Sequence, residues 1–167
     1  VSFPLGRLRR SLVELPLGFC LNLLSTGELR QIHRGLTLYE LLPDGAAAYP
    51  ENQPCHEPFS TAERQHLIRL LTDAMSDGYL DSALIRCDDY ALALMVTIIE
   101  RGGTSGSMAD VQEAFSGRGE GWSVFYYPAQ RTLERLGLAF AVDSAYRPYY
   151  LLPEGAVAAF ERMSKRR

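Results

Sequence analysis

Wound at 100° per residue, the stretch from Trp122 to Leu136 separates two kinds of side chain. Trp122, Phe125, Tyr126, Ala129, Leu133 and Leu136 fall on one side. Ser123, Tyr127, Gln130, Arg131 and Glu134 fall on the other, with Arg135 at its flank. The outer set mixes donors and acceptors that suit flat, patterned partners. A guanidinium matches two adjacent acceptors such as guanine O6 and N7, a carboxamide matches adenine N6 and N7, and hydroxyls suit phosphate oxygens. The same residue types also make an ordinary solvated helix face, and one Arg and one Gln do not separate the two readings.

Other chemistry-bearing residues are sparse. Tyr146 and Arg147 sit in a turn between two short apolar runs. An Arg there can enter a narrow minor groove or simply point to solvent. Lys165, Arg166 and Arg167 form a basic run that could add phosphate contacts. Cys55–His56 is the single adjacent pair of Cys or His ligands, with no second pair at finger-like spacing, so neither a metal site nor a cofactor is expected. Asp81, Asp88 and Asp89 cluster without a neighbouring His or Lys. His33, His56 and His66 lie in the first half, away from any phosphate loop or Gly-x-Ser-x-Gly elbow. An enzyme is not expected.

Composition narrows the partners. The formal charge is −3, with seven basic and nine acidic side chains in residues 1–80 and ten and eleven in residues 81–167. That excludes a non-specific basic coat and leaves a locally patterned binder. Three widely spaced cysteines, Cys20, Cys55 and Cys87, make no disulfide framework and point to a reducing cytoplasm. Ser11 to Leu24 follows Arg7, Arg9 and Arg10, but Glu14, Pro16, Gly18 and Asn22 interrupt it and it is too short to cross a bilayer.

The elements that must position these residues follow from periodicity. Ser25-Thr26-Gly27-Glu28 looks like a helix start, with Leu29, Ile32, Leu36 and Tyr39 at helical spacing, although Gly35 weakens the pattern. Pro43 to Pro58 holds four prolines and reads as a linker. Ser60 and Glu63 form a capping box before the stripe Leu67, Leu70, Leu71, Ala74 and Met75, and Gly78 closes that helix. Asp88 and Asp89 cap a helix with Leu92, Met95, Ile98 and Ile99 inward, ended by Gly102 and Gly103. Ser107 opens a third helix that buries Met108, Val111, Ala114 and Phe115, and the fourth runs from Ser123 to Leu136 with Gly137 stopping it. Pro128 requires either a helix beginning near Tyr127 or a looser turn before it. The period then changes to two, giving strands at 138–142 and 149–152 and a last helix after Pro153 with Val157 and Phe160. The expected class is α+β, mostly α: a winged helix-turn-helix with an N-terminal helical extension.

The run Phe125-Tyr126-Tyr127-Pro128-Ala129-Gln130-Arg131-Thr132-Leu133-Glu134-Arg135-Leu136-Gly137-Leu138 resembles the recognition-helix signature of PadR-family transcriptional regulators. Tyr149-Tyr150-Leu151-Leu152-Pro153-Glu154-Gly155 is similar to that family's second wing strand entering a helix. The resemblance covers about half the chain, and its compact layout is similar to the short branch of the family that acts in the cyanobacterial circadian clock. It implies an extension over 1–58 and a winged domain over 59–167. It implies a regulator, a repressor by operator occupancy, that reads the major groove of double-stranded DNA with residues 123–136 and contacts backbone or minor groove with the wing 138–152. Ser123, Tyr127, Gln130, Arg131, Arg135, Tyr146 and Arg147 are the expected contacts. The family usually carries its winged helix first and dimerises through later helices; here helix 60–78 is expected to make a homodimer instead, and residues 1–56 to be dispensable. The alternative is a winged helix that docks proteins without DNA.

Overall fold

The computed structural model describes residues 14–42, 61–76, 78–101, 107–117, 119–142 and 148–166. Among these, eight helices accompany one two-stranded antiparallel sheet, in keeping with a mostly helical α+β chain. None of these helices is long and apolar enough to cross a membrane.

The N-terminal helices α1 (Leu17–Leu23) and α2 (Thr26–Leu38) are joined by Leu24 and the cap residue Ser25. The Ser25 hydroxyl accepts from the Glu28 amide at 3.2 Å while the Glu28 carboxylate accepts from the Ser25 amide at 2.6 Å. This reciprocal cap starts α2 where the sequence places it. Helix α3 (Thr61–Ala74) crosses both, and Arg64 donates to the Leu24 and Asn22 carbonyls at 2.6 and 2.8 Å. Those carbonyls lie at the end of α1, where a helix leaves acceptors unsatisfied. Arg30 of α2 pairs with Glu63 of α3. The predicted cap residue Ser60 lies outside the described residues.

The apolar stripe of α3 is already covered within the chain. Leu67, Leu71, Ala74 and Met75 are buried against the other helices, and Leu70 is half-buried. The width of the stripe is thus accounted for by contacts within the chain and does not by itself call for the second subunit that the sequence suggested. Residues 14–42 are equally committed. Cys20, Leu21, Leu24, Leu29, Ile32 and Leu36 belong to the same continuous core as Phe140, Tyr150 and Phe160. The Leu15 amide donates to Leu152 O and the Glu154 amide to Leu15 O, a short parallel bridge to the far end of the chain. This segment is therefore not a separable appendage. The predicted boundary between 58 and 59 lies outside the described residues.

Helix α4 (Tyr79–Ile85) was not legible in the sequence, because seven residues are too few to show a period. It packs on α8 (Ala156–Arg166), where Arg162 and Asp81 form a two-pronged, exposed ion pair. Tyr79 turns inward and donates its hydroxyl to the Leu136 carbonyl. Helix α5 (Asp89–Glu100) is the central rod: Asp88 caps it by accepting from the Ala91 amide at 2.7 Å, and eight of its twelve residues are buried. A helix apolar on all sides must be surrounded, and α6 (Met108–Ser116), capped by Ser107, and α7 (Trp122–Arg135) pack on it. The expected stop at Gly102–Gly103 lies outside the described residues.

Strands β1 (Phe140–Val142) and β2 (Tyr149–Leu151) pair Phe140 with Leu151, Ala141 with Tyr150 and Val142 with Tyr149. They are shorter than the sequence suggests. Ser107 forms an antiparallel bridge to Tyr149, supported by the Met108 amide donating to Pro148 O at 3.2 Å. The hairpin therefore touches the chain just before α6 as well as the chain just after α7.

Candidate nucleic-acid interface

The geometry of α7 is set at both ends. Gly121 starts it with φ +76° and no side-chain cap. At its end the Leu138 amide donates to Leu133 O at 2.9 Å and the Gly137 amide to Glu134 O at 3.1 Å. This bond pair, with Gly137 at φ +67°, is a Schellman close that a residue with a Cβ would strain. The chain leaves it directly into β1.

Pro128 lies inside a continuous helix, so neither expected alternative describes it. Its ring removes the donor that the Val124 carbonyl would use. Val124 and Pro128 are both exposed, so water can satisfy that carbonyl.

One side of α7 is anchored. Tyr126, Ala129 and Leu133 are buried, and the Tyr126 hydroxyl meets the Tyr150 hydroxyl at 2.6 Å, tying the helix to β2. Burial raises both phenols above their ordinary range, so both stay neutral and one hydroxyl donates while the other accepts. Trp122 is only half-buried. Phe125 departs from the expected core: it is 39% exposed and stacks on Tyr90 at the start of α5, with ring centres 4.2 Å apart.

On the other side, Ser123, Tyr127 and Arg131 form one exposed row at four-residue spacing. Eight helical steps of about 1.5 Å carry it over about 12 Å. Gln130 is half-buried at the edge of this row. Glu134 does not belong to the exposed face as the wheel implies: it leans under β1, and its carboxylate accepts from the Ala141 amide at 3.3 Å. Burial pushes that carboxyl above the ordinary range, and the like charge of Glu28 adds to the effect, against the opposing pull of the Ala141 amide and Arg131. Arg135 is half-buried where α2 crosses, lining a cleft of about 360 Å³ with Gln31 and Arg34. Tyr146 and Arg147 lie outside the described residues.

The structure thus brings Ser123, Tyr127 and Arg131 together, leaves Gln130 beside them, and places Arg135 one turn away against α2. Arg34 escaped the sequence reading because its helix looked like a detached extension; its position seven residues after Gly27 on an exposed helix face carries no signal by itself. Val124, 68% exposed in the first turn of α7, was also missed.

The described residues hold no group of three His, Cys, Asp or Glu side chains placed to bind a metal ion. The Cys20 thiol is buried and pushed up to about 11 by that burial, so it is a packing residue without a reactive thiolate. Cys55 and His56 lie outside the described residues. No family model matches the chain, and neither a curated protein nor a solved structure matches it.

Proposed function

We propose that α5, α6, α7 and the β1–β2 hairpin form a winged helix-turn-helix that binds double-stranded DNA as a transcriptional regulator, a repressor by occupancy of its site. The observation that carries this reading is the exposed row Ser123, Tyr127 and Arg131 on α7. Its length of about 12 Å is comparable to the width of a B-DNA major groove. Its members are an Arg able to pair with guanine and two hydroxyls able to hold phosphates. Support also comes from the order of elements: three helices, then a hairpin whose second strand bridges back to Ser107 ahead of α6. Arg135 and Arg34 flank the C-terminal end of the row as further phosphate contacts. Two-fold pairing over two half-sites belongs to the proposal, through a surface other than the α3 stripe.

The test is selection of duplex fragments by the full chain, followed by mobility shift against the selected site and a scrambled one across a salt series. A preference for the selected site at every salt concentration is the expected result. Equal affinity for both, or no binding at low salt, overturns it. A second reading, docking of a protein on the same helix, is favoured by the exposed Val124 beside Tyr127 and by the net charge of −3. Recovery of a specific protein whose binding Val124→Asp abolishes, together with no DNA preference, would establish it.

A further inference from the structure

Between the start of α5 and the turn leading into α7 lies a cleft of about 280 Å³ with an aromatic lining. Tyr90 and Phe125 form one wall as a parallel stack, 4.2 Å between centres and 10° between planes. Phe115 and Trp122 also line it, each held edge-on by the buried Tyr126, at 5.6 and 5.7 Å. Glu120 stands at the rim between Gly119 and Gly121, and none of the described residues forms an ion pair with it. Tyr90 and Phe125 keep 48% and 39% of their surface exposed.

We propose that this cleft binds a small hydrophobic cation, of the aromatic or quaternary ammonium class. Two features select that chemistry over a neutral or anionic ligand. The faces of aromatic rings carry negative quadrupole potential, which attracts a weakly hydrated cation; Tyr90 and Phe125 spend one face each on their mutual stack and keep part of their remaining surface exposed. Among the described residues that line the cleft, Glu120 is the one that carries a full charge, and its sign is complementary. The walls are pre-positioned, since Tyr126 fixes Trp122 and Phe115 while the α5–α7 contact fixes the Tyr90–Phe125 stack. Little ordering is then left to oppose binding. This site does not depend on the DNA reading, and its test is separate.

Trp122 is the sole tryptophan in the chain, so its fluorescence reports on this cleft directly. The full chain is titrated with benzyltrimethylammonium, and in parallel with benzyl alcohol and benzenesulfonate. The cation should give a saturable change at least about tenfold tighter than either comparator, as cation–π attraction joined to one carboxylate implies. Glu120→Gln should weaken the cation about three- to tenfold while leaving the alcohol unchanged, and Phe125→Ala should weaken both. Glu120 lies in a surface turn, so its variant keeps the fold, which circular dichroism verifies. Three outcomes overturn the proposal: equal response to the alcohol, no saturation with the cation, or cation binding indifferent to both variants. A Trp122 signal that shifts with protein concentration alone would instead assign the cleft to a second copy of the chain.

Discussion

Gly35 of α2 lies against the backbone of Arg135 in α7, so close that a methyl group at Gly35 would sit 2.6 Å from the Arg135 Cβ. The glycine that breaks the apolar rhythm of α2 is what lets that helix cross the end of the proposed recognition helix. Gly35→Ala should therefore cost about 1–3 kcal/mol, the usual penalty of forcing volume into a packed contact. Gly18→Ala is the internal control, because a methyl there meets nothing within 4 Å. It replaces a helical glycine and should be neutral or stabilising by up to about 1 kcal/mol. Urea midpoints of the two variants decide it; equal effects would mean the α2–α7 crossing is looser than described.

Glu14 makes the complementary tie from the other end. Its carboxylate accepts from the Gly155 and Val157 amides at 2.7 and 2.8 Å, capping α8 from 141 residues away in sequence. Glu14→Ala should cost about 0.5–2 kcal/mol, as loss of a side-chain cap does. A chain beginning at Phe59 should lose cooperative unfolding altogether, since it lacks Leu21, Leu29 and Leu36 from the shared core. A sharp thermal transition in that truncated chain would show the opposite.

Glu134 predicts a pH dependence with a defined sign. Its folded-state pKa is raised, chiefly by burial, so the native state holds the proton more firmly than the unfolded chain does. Stability from this group is full at pH below the unfolded value of about 4.3 and falls as pH climbs through the raised folded value. Glu134→Gln keeps an acceptor for the Ala141 amide and removes the titration. The variant should match the wild type near pH 4 and equal or exceed it at pH 7. Denaturation midpoints at four pH values check this, and a wild type that gains on the variant with rising pH would contradict it.

Arg131 tests the proposed interface. Arg131→Ala should narrow the gap between selected and scrambled DNA by about 1–3 kcal/mol. Arg34→Ala should weaken both sequences alike and lower the salt slope by about one counterion, as loss of a phosphate contact does. The readout is a salt titration of each variant against both duplexes. Unchanged binding in both would leave the exposed row of α7 a solvated surface.

Local signals in the sequence determined much of this architecture. Ser25 with Glu28, Asp88, Ser107 and Gly137 each cap or close a helix where their type and spacing predict, because those bonds reach only a few residues along the chain. The change of period after Gly137 likewise marked the hairpin, and the wheel of α7 separated Tyr126, Ala129 and Leu133 from Ser123, Tyr127 and Arg131. Tertiary packing decided what periodicity cannot encode, namely which apolar stripe meets which. The stripe of α3 looked free and is covered by the chain's own helices; the broken pattern of α2 looked detachable and carries part of the core. Glu134 and Phe125 exchanged their expected sides for the same reason. A wheel assumes one buried direction, whereas α7 is covered by α5 along its back, by β1 near Glu134 and by α2 at Arg135, each from a different angle.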